Sequence, residues 1–198
     1  MTYNSFSLFN IHVINLEVAS LPTPSGLDLN SMEKIKMENK EVTTRSQFLP
    51  ASKDEVWRLI SSPGMLTEYH PFVSQNPVEK WPGVGSKDRI HYFSGLILER
   101  EFTAWIDGTG YDLNANTEEG LRYQVFWRIT SGEDGQAILS ISIKPYSEER
   151  FDQYSRLLGK YLEQVLKGCE YYLRTGEPVS RNQFGSHRFF SPPVPLKD

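Results

Sequence analysis

Six strand-like segments follow one another through the middle of the chain, with no helical segment between them. Apolar and polar residues alternate along them, and Gly, Asp or Pro residues separate one segment from the next. Short connections of this composition are typical of hairpins, so the pattern predicts an antiparallel meander. The six predicted strands are Val73–Trp81, Lys87–Ser94, Leu96–Ile106, Tyr111–Thr117, Leu121–Thr130 and Gln136–Pro145.

One more strand and two short helices are predicted ahead of the meander. The segment Glu41–Leu49 alternates and is rich in Val, Thr and Phe, which favours a strand. Ser52 and Glu55 have the spacing of a capping box, so a helix is expected to begin there and to end before Pro63. A second short helix is predicted from Met65 to Tyr69.

The last predicted element is a long amphipathic helix. From Ser147 to Thr175, apolar residues recur at helical spacing. We expect Ser147 to cap its first turn and Gly176 to end it, because serine accepts free N–H groups and glycine adopts the left-handed conformation that follows a helix.

The pattern divides the chain into three segments. Residues 41–176 contain every segment with strong strand or helix periodicity and are expected to form one domain, whereas residues 1–40 are expected to form a loose arm. Residues 177–198 are expected to form an irregular tail, which is rich in Pro and contains Phe184, Phe189 and Phe190. A signal peptide is not expected, because no Lys or Arg precedes the apolar patch Phe6–Ala19 and polar residues interrupt it.

Charge and cysteine content narrow the function classes. The net charge is −4, with 21 basic and 25 acidic residues, so nucleic acid is not an expected partner. The sequence has no run of 18 apolar residues, so no membrane span is expected. The single cysteine, Cys169, rules out a disulfide framework and fits a reducing compartment, so we expect a cytoplasmic protein.

Cofactor signals are weak. The four histidines, at positions 12, 70, 91 and 187, are scattered and suggest no metal site. The glycines of WPGVGS lack the spacing, lysine and following helix of a phosphate-binding loop, so we interpret them as a turn. No cofactor is therefore predicted.

The order of these elements resembles the START-like (SRPBCC) superfamily, which has the helix-grip fold of the birch pollen allergen. The resemblance covers residues 41–176, about two-thirds of the chain. The phrases LPASKDEVWRLISSPGML and WPGVGSKDRIHY are similar to the polyketide cyclase/dehydratase-like branch. The resemblance implies an α+β fold in which a seven-stranded curved antiparallel sheet wraps round the long C-terminal helix, with two short helices after the first strand.

A cavity is expected between such a sheet and its helix, because the two cannot touch everywhere. Strand alternation predicts the inward side chains, and we add His70, which lies where the second short helix meets the sheet. The predicted ligand-binding residues are His70, Leu98, Arg100, Phe102, Tyr111, Leu113, Tyr123 and Trp127.

Arg100 interrupts an otherwise apolar inward face, and a buried charge is costly unless it is paired. It could anchor a carboxylate, phosphate or carbonyl of a ligand, form an ion pair with Asp88, or turn to solvent. The hairpin register decides between the first two. A two-residue turn at Ser94-Gly95 pairs Arg100 with Arg89 and creates a cationic site, whereas a shift of one residue pairs it with Asp88.

Three functions fit this pattern. The first is a carrier or sensor that binds a small hydrophobic molecule, lipid-like or aromatic. The second is an enzyme similar to polyketide cyclases, which is less favoured because His70 has no evident acid–base partner in the sequence. The third is a protein-interaction module, including a homodimer, that uses the aromatic tail or the N-terminal arm. The superfamily hosts several such functions, so fold alone does not choose among them.

Overall fold

A computed structural model of the protein describes residues 42–118, 120–145 and 151–185. The N-terminal arm, the predicted Ser147 cap and the tail residues Phe189 and Phe190 lie outside these ranges. The elements are β1 Thr43–Leu49, α1 Lys53–Ser61, α2 Leu66–Tyr69, β2 Val73–Gln75, β3 Val78–Lys80, β4 Lys87–Tyr92, β5 Ile97–Ile106, β6 Gly110–Thr117, β7 Gly120–Ser131, β8 Ala137–Pro145 and α3 Phe151–Thr175.

The helix ends follow the local signals in the sequence. The Ser52 hydroxyl accepts a hydrogen bond from the Glu55 N–H, and the Glu55 carboxylate accepts one from the Ser52 N–H at 2.8 Å, so the capping box of α1 is confirmed. At the end of α3, Gly176 has φ +71° and its N–H donates to the Tyr172 carbonyl at 2.8 Å. Gly176 thus ends the long helix as predicted.

The strands form one curved antiparallel sheet in the order β1-β8-β7-β6-β5-β4-β2, and β3 also pairs with β4. The sheet has eight strands rather than seven, because the predicted strand Val73–Trp81 forms two short strands. Asn76 and Pro77 separate them. The Asn76 amide turns inward to donate to Asp88 and to the Arg89 carbonyl, and Pro77 has no N–H to give to a ladder.

Helix α3 lies across the concave face of the sheet and fills much of the core with one apolar face. Its residues Leu158, Leu162, Val165, Leu166 and Cys169 are all buried. The predicted α+β helix-grip arrangement is therefore confirmed. The first residues of the tail pack beside α2, where Val179 N–H donates to the Glu68 carbonyl at 2.8 Å.

A glycine allows α3 to approach α2 closely. A Cβ atom at Gly168 would lie 1.9 Å from the backbone oxygen of Tyr69, which cannot move without shifting α2. Helix propensity alone predicts that Gly168→Ala stabilises the protein by up to about 1 kcal/mol. We expect the steric clash to dominate, with a loss of about 2 kcal/mol in the free energy of unfolding measured in urea.

Gly159→Ala is the matched control in the same helix. A Cβ atom there would meet only the end of the Arg45 side chain, which can swing away. We expect this variant to stay within about 1 kcal/mol of the parent protein. A stability gain for Gly168→Ala would contradict the conclusion that α3 approaches α2 too closely at Gly168 to admit a side chain.

Candidate functional site

A partly open cavity of about 50 Å³ lies between the concave face of the sheet and α3. Its wall is mainly apolar, with contributions from Leu98 of β5, Leu113 of β6, Trp127 of β7 and Ile141 of β8 on the sheet side. Helix α3 contributes Leu162 and Val165. The polar side chains of the wall are His70, Tyr92, Arg100, Tyr123 and Tyr161.

The structure brings six of the eight predicted ligand-binding residues to this wall. They are His70, Leu98, Arg100, Leu113, Tyr123 and Trp127. Their part in ligand binding stays a prediction.

Phe102 and Tyr111 are buried but lie off the cavity wall, in a cluster of aromatic rings beside α1. Phe102 packs edge-on against Trp81 with ring centroids 4.9 Å apart, and Tyr111 stacks on Trp105 at 5.7 Å. The Tyr111 hydroxyl donates to the Ile60 carbonyl of α1 at 3.4 Å. Strand alternation placed them correctly on the inner face, but it could not show that α1 covers this end of the sheet.

Arg100 forms a buried ion pair with Asp88. Its Nε donates to Asp88 Oδ1 at 2.7 Å, and a second guanidinium N–H donates to Oδ2. The Asn76 amide also donates to Oδ2, at 3.0 Å. Arg100 and Asp88 are only 7% and 3% exposed. Burial acts to lower the pKa of Arg100, but the adjacent Asp88 carboxylate outweighs it and holds the guanidinium charged.

The hairpin between β4 and β5 selects this pairing. The Tyr92 N–H donates to the Leu96 carbonyl at 2.9 Å, so the loop between this pair holds three residues, Phe93, Ser94 and Gly95. Gly95 has φ +89°, and its N–H donates to the Tyr92 carbonyl. Asp88 therefore faces Arg100, which is the second of the two registers considered from the sequence. The cationic site of the first register does not form. Arg89 instead pairs with Glu99 on the outer face at 3.0 Å.

His70 is buried and engaged at both ring nitrogens. Its Nδ1 accepts the backbone N–H of Phe72 at 3.3 Å, and its Nε2 lies 2.9 Å from the Tyr161 hydroxyl. Burial, reinforced by the positive charge of Arg100, lowers the pKa of His70 to about 3. The ring is therefore neutral at pH 7. Because Nδ1 is an acceptor, the ring proton lies on Nε2 and is donated to Tyr161.

Tyr161 continues this chain of hydrogen bonds to Tyr92, whose hydroxyl oxygen lies 3.0 Å from that of Tyr161. Burial raises the pKa of Tyr92 to about 12 and raises that of Tyr161 well above its usual range. Both hydroxyls thus keep their protons. We call His70, Tyr161 and Tyr92 the His–Tyr–Tyr array.

Tyr92 and Tyr161 were not among the predicted site residues. The signals for them were present, because alternation places Tyr92 on the same face as Asp88 and helical spacing places Tyr161 beside Leu158 and Leu162. The sequence did not show that the two hydroxyls, 69 residues apart, meet across the cavity.

A second, open groove of about 360 Å³ lies on the surface at the end of α1. Trp57, Trp81 and Trp105 line it together with Asp107, and all three tryptophans are half-buried. Trp105 packs edge-on against the other two, with ring centroids 5.4 and 5.1 Å away. Each of the three rings is therefore partly exposed.

In residues 42–118, 120–145 and 151–185, no three His, Cys, Asp or Glu side chains converge in a group that could hold a metal ion. Over the same part of the chain, no helix has the length and apolar character needed to cross a membrane.

The chain resembles known proteins in its three-dimensional structure only. No protein-family model matches the chain, and no curated protein matches it. DynU16, a protein of the dynemicin biosynthetic locus, is similar at 17% identity and a TM-score of 0.56, over 70% of this chain and 49% of DynU16. The chain thus spans about half the length of DynU16.

Two further structures are similar over nearly their whole length. MLL2253 from Mesorhizobium loti has 18% identity and a TM-score of 0.57, over 68% of this chain and 98% of that protein. The Aha1 dimer from Colwellia psychrerythraea has 13% identity and a TM-score of 0.55, over 68% of this chain and 97% of Aha1. At such identities the likeness establishes the fold alone, and that fold is the α+β helix-grip arrangement described above.

Proposed function

We propose that the protein binds a small, mainly apolar molecule in the cavity between the sheet and α3, as a carrier or sensor. The observation that carries this proposal is a mainly apolar cavity whose few polar groups are fixed by ion pairing and hydrogen bonding. Ligand sites in proteins commonly have this composition.

The size of the cavity favours a compact ligand. A volume of 50 Å³ leaves room for about four water molecules, which together occupy about as much space as one aromatic ring. A single-ring compound therefore fits better than a long-chain lipid, which would need the sheet and α3 to separate.

The same geometry favours binding over catalysis. A polyketide cyclase-like reaction needs a group that can take and return a proton inside the cavity. Both nitrogens of His70 are already engaged, and Asp88 is held by Arg100 and Asn76. DynU16 is a protein of a biosynthetic locus, but its similarity to this chain concerns the fold alone and does not favour an enzymatic role.

Native mass spectrometry of freshly purified protein tests the proposal, with a co-purifying small molecule as the expected result. Single-ring aromatic compounds should also raise the melting temperature. Ala115→Ile adds bulk to a buried wall residue and should abolish that rise, whereas Ala104→Ile, off the wall on β5, should preserve it. A rise that survives Ala115→Ile would place the ligand elsewhere and contradict the proposal.

A further inference from the structure

One hydroxyl proton of the His–Tyr–Tyr array has no acceptor within the array. The Nε2–H of His70 donates a hydrogen bond to Tyr161, and one hydrogen bond joins the hydroxyls of Tyr161 and Tyr92. The two hydroxyls carry two protons, and their mutual bond uses one of them. Whichever hydroxyl donates in that bond, the other proton has no acceptor among the described residues, because these two contacts are the only hydrogen bonds of either hydroxyl there.

The surplus proton belongs to Tyr92. A hydroxyl that accepts a hydrogen bond from His70 becomes a better hydrogen-bond donor, so the chain runs in one direction from His70 through Tyr161 to Tyr92. Tyr92 is 4% exposed and its side chain is part of the cavity wall, so bulk solvent does not take up its proton.

The neighbouring ion pair adds no free acceptor. Arg100 can only donate, and the Asp88 carboxylate is occupied by Arg100 and Asn76. The pair is also electrically neutral as a unit, so it offers an incoming anion little net attraction. A carboxylate entering this cavity would lose its hydration without gaining a free counter-charge.

We propose that the cavity selects neutral ring compounds that carry a hydrogen-bond-acceptor oxygen, such as a ketone carbonyl, and that the Tyr92 hydroxyl donates to that oxygen. This inference rests on the proposed function and names the class of its ligand. The rest of the ligand lies against apolar residues such as Leu98, Leu113 and Val165.

Acetophenone and isopropylbenzene form a matched pair of probes, because a carbonyl oxygen in one replaces a methyl group in the other. By isothermal titration calorimetry, the protein should bind acetophenone about 10-fold more tightly, which is the typical effect of one buried hydrogen bond. Benzoate should bind more weakly than acetophenone. The carbonyl stretch of bound acetophenone should move to lower frequency in the infrared spectrum, as expected for an accepted hydrogen bond.

Tyr92→Phe should remove both the 10-fold preference and the infrared shift. Tyr69→Phe is the control, since Tyr69 is also buried but lies off the wall. In the double variant Tyr92→Phe/Tyr161→Phe both effects should also be absent. If they survive Tyr92→Phe and disappear only in the double variant, Tyr161 is the donor and the assignment to Tyr92 is overturned.

The probes also separate the two proposals. Failure of both neutral compounds to bind would overturn the proposed function itself. Equal binding of the two would leave the proposed function standing and overturn the role of Tyr92. Tightest binding of benzoate would show that Arg100 acts as an anion anchor and would overturn the selection of neutral acceptors.

Discussion

Replacing Asp88 with leucine is expected to lower the free energy of unfolding by about 3–5 kcal/mol. The variant leaves the guanidinium of Arg100 buried without its counter-charge, and breaking one side of a buried pair typically costs this much. It also removes an acceptor of the Asn76 amide. Urea unfolding followed by circular dichroism measures the change.

A double variant distinguishes the cost of losing the ion pair from the cost of leaving one buried charge without a partner. Asp88→Leu/Arg100→Leu removes both charges, so it should recover part of the loss, because a buried pair replaced by apolar residues is often close to neutral. Glu99→Leu is the control. It breaks the exposed Arg89–Glu99 pair on the same two strands and should cost less than about 1 kcal/mol. A double variant less stable than Asp88→Leu would contradict this account.

Mild acid is expected to destabilise the protein through His70. In the folded protein its pKa is lowered to about 3, whereas in an unfolded chain it is about 6.5. The unfolded state therefore binds more protons between these values, and stability falls as the pH falls through that interval. The loss should be about 2 kcal/mol between pH 7 and pH 5 and about 4 kcal/mol by pH 3.

The interval from pH 7 to pH 5 is the informative one, because most carboxylates stay ionised there. His70→Gln removes the titrating group and should flatten the stability profile in this interval, although its stability at pH 7 will fall. His91→Gln, which alters a half-buried histidine of β4, should keep the slope of the parent protein. A slope that persists in His70→Gln would show that another group causes it.

Short-range patterns in the sequence predicted the elements well. The capping box of Ser52 and Glu55, the Gly176 helix end and the alternation of β5 to β8 each depend on residues within a few positions of one another. Such features follow from backbone sterics and local hydrogen bonding, which need no tertiary context. The exception was the split of one predicted strand at Asn76-Pro77, where a side chain turned inward to reach Asp88.

The candidate site was only partly predictable. Alternation identified the inner faces of the strands and so placed six of the predicted residues on the cavity wall. It could not distinguish the part of the inner face that surrounds the cavity from the part beside α1, where Tyr111 contacts Ile60 and Phe102 contacts Trp81. That distinction depends on where a separate helix docks.

The sequence by itself determined which residues could face inward and that one of them, Arg100, would carry a charge that needs a partner. Only the tertiary structure decided that the partner is Asp88, because a three-residue loop rather than a two-residue turn sets the register of β4 and β5. It also decided that His70, Tyr161 and Tyr92 form one chain of hydrogen bonds. These residues come from a loop, α3 and β4, and only packing of the helix into the curved sheet brings Tyr161 within hydrogen-bond distance of both His70 and Tyr92, at 2.9 and 3.0 Å. The chemistry of the cavity depends on these long-range contacts, which local spacing in the sequence does not encode.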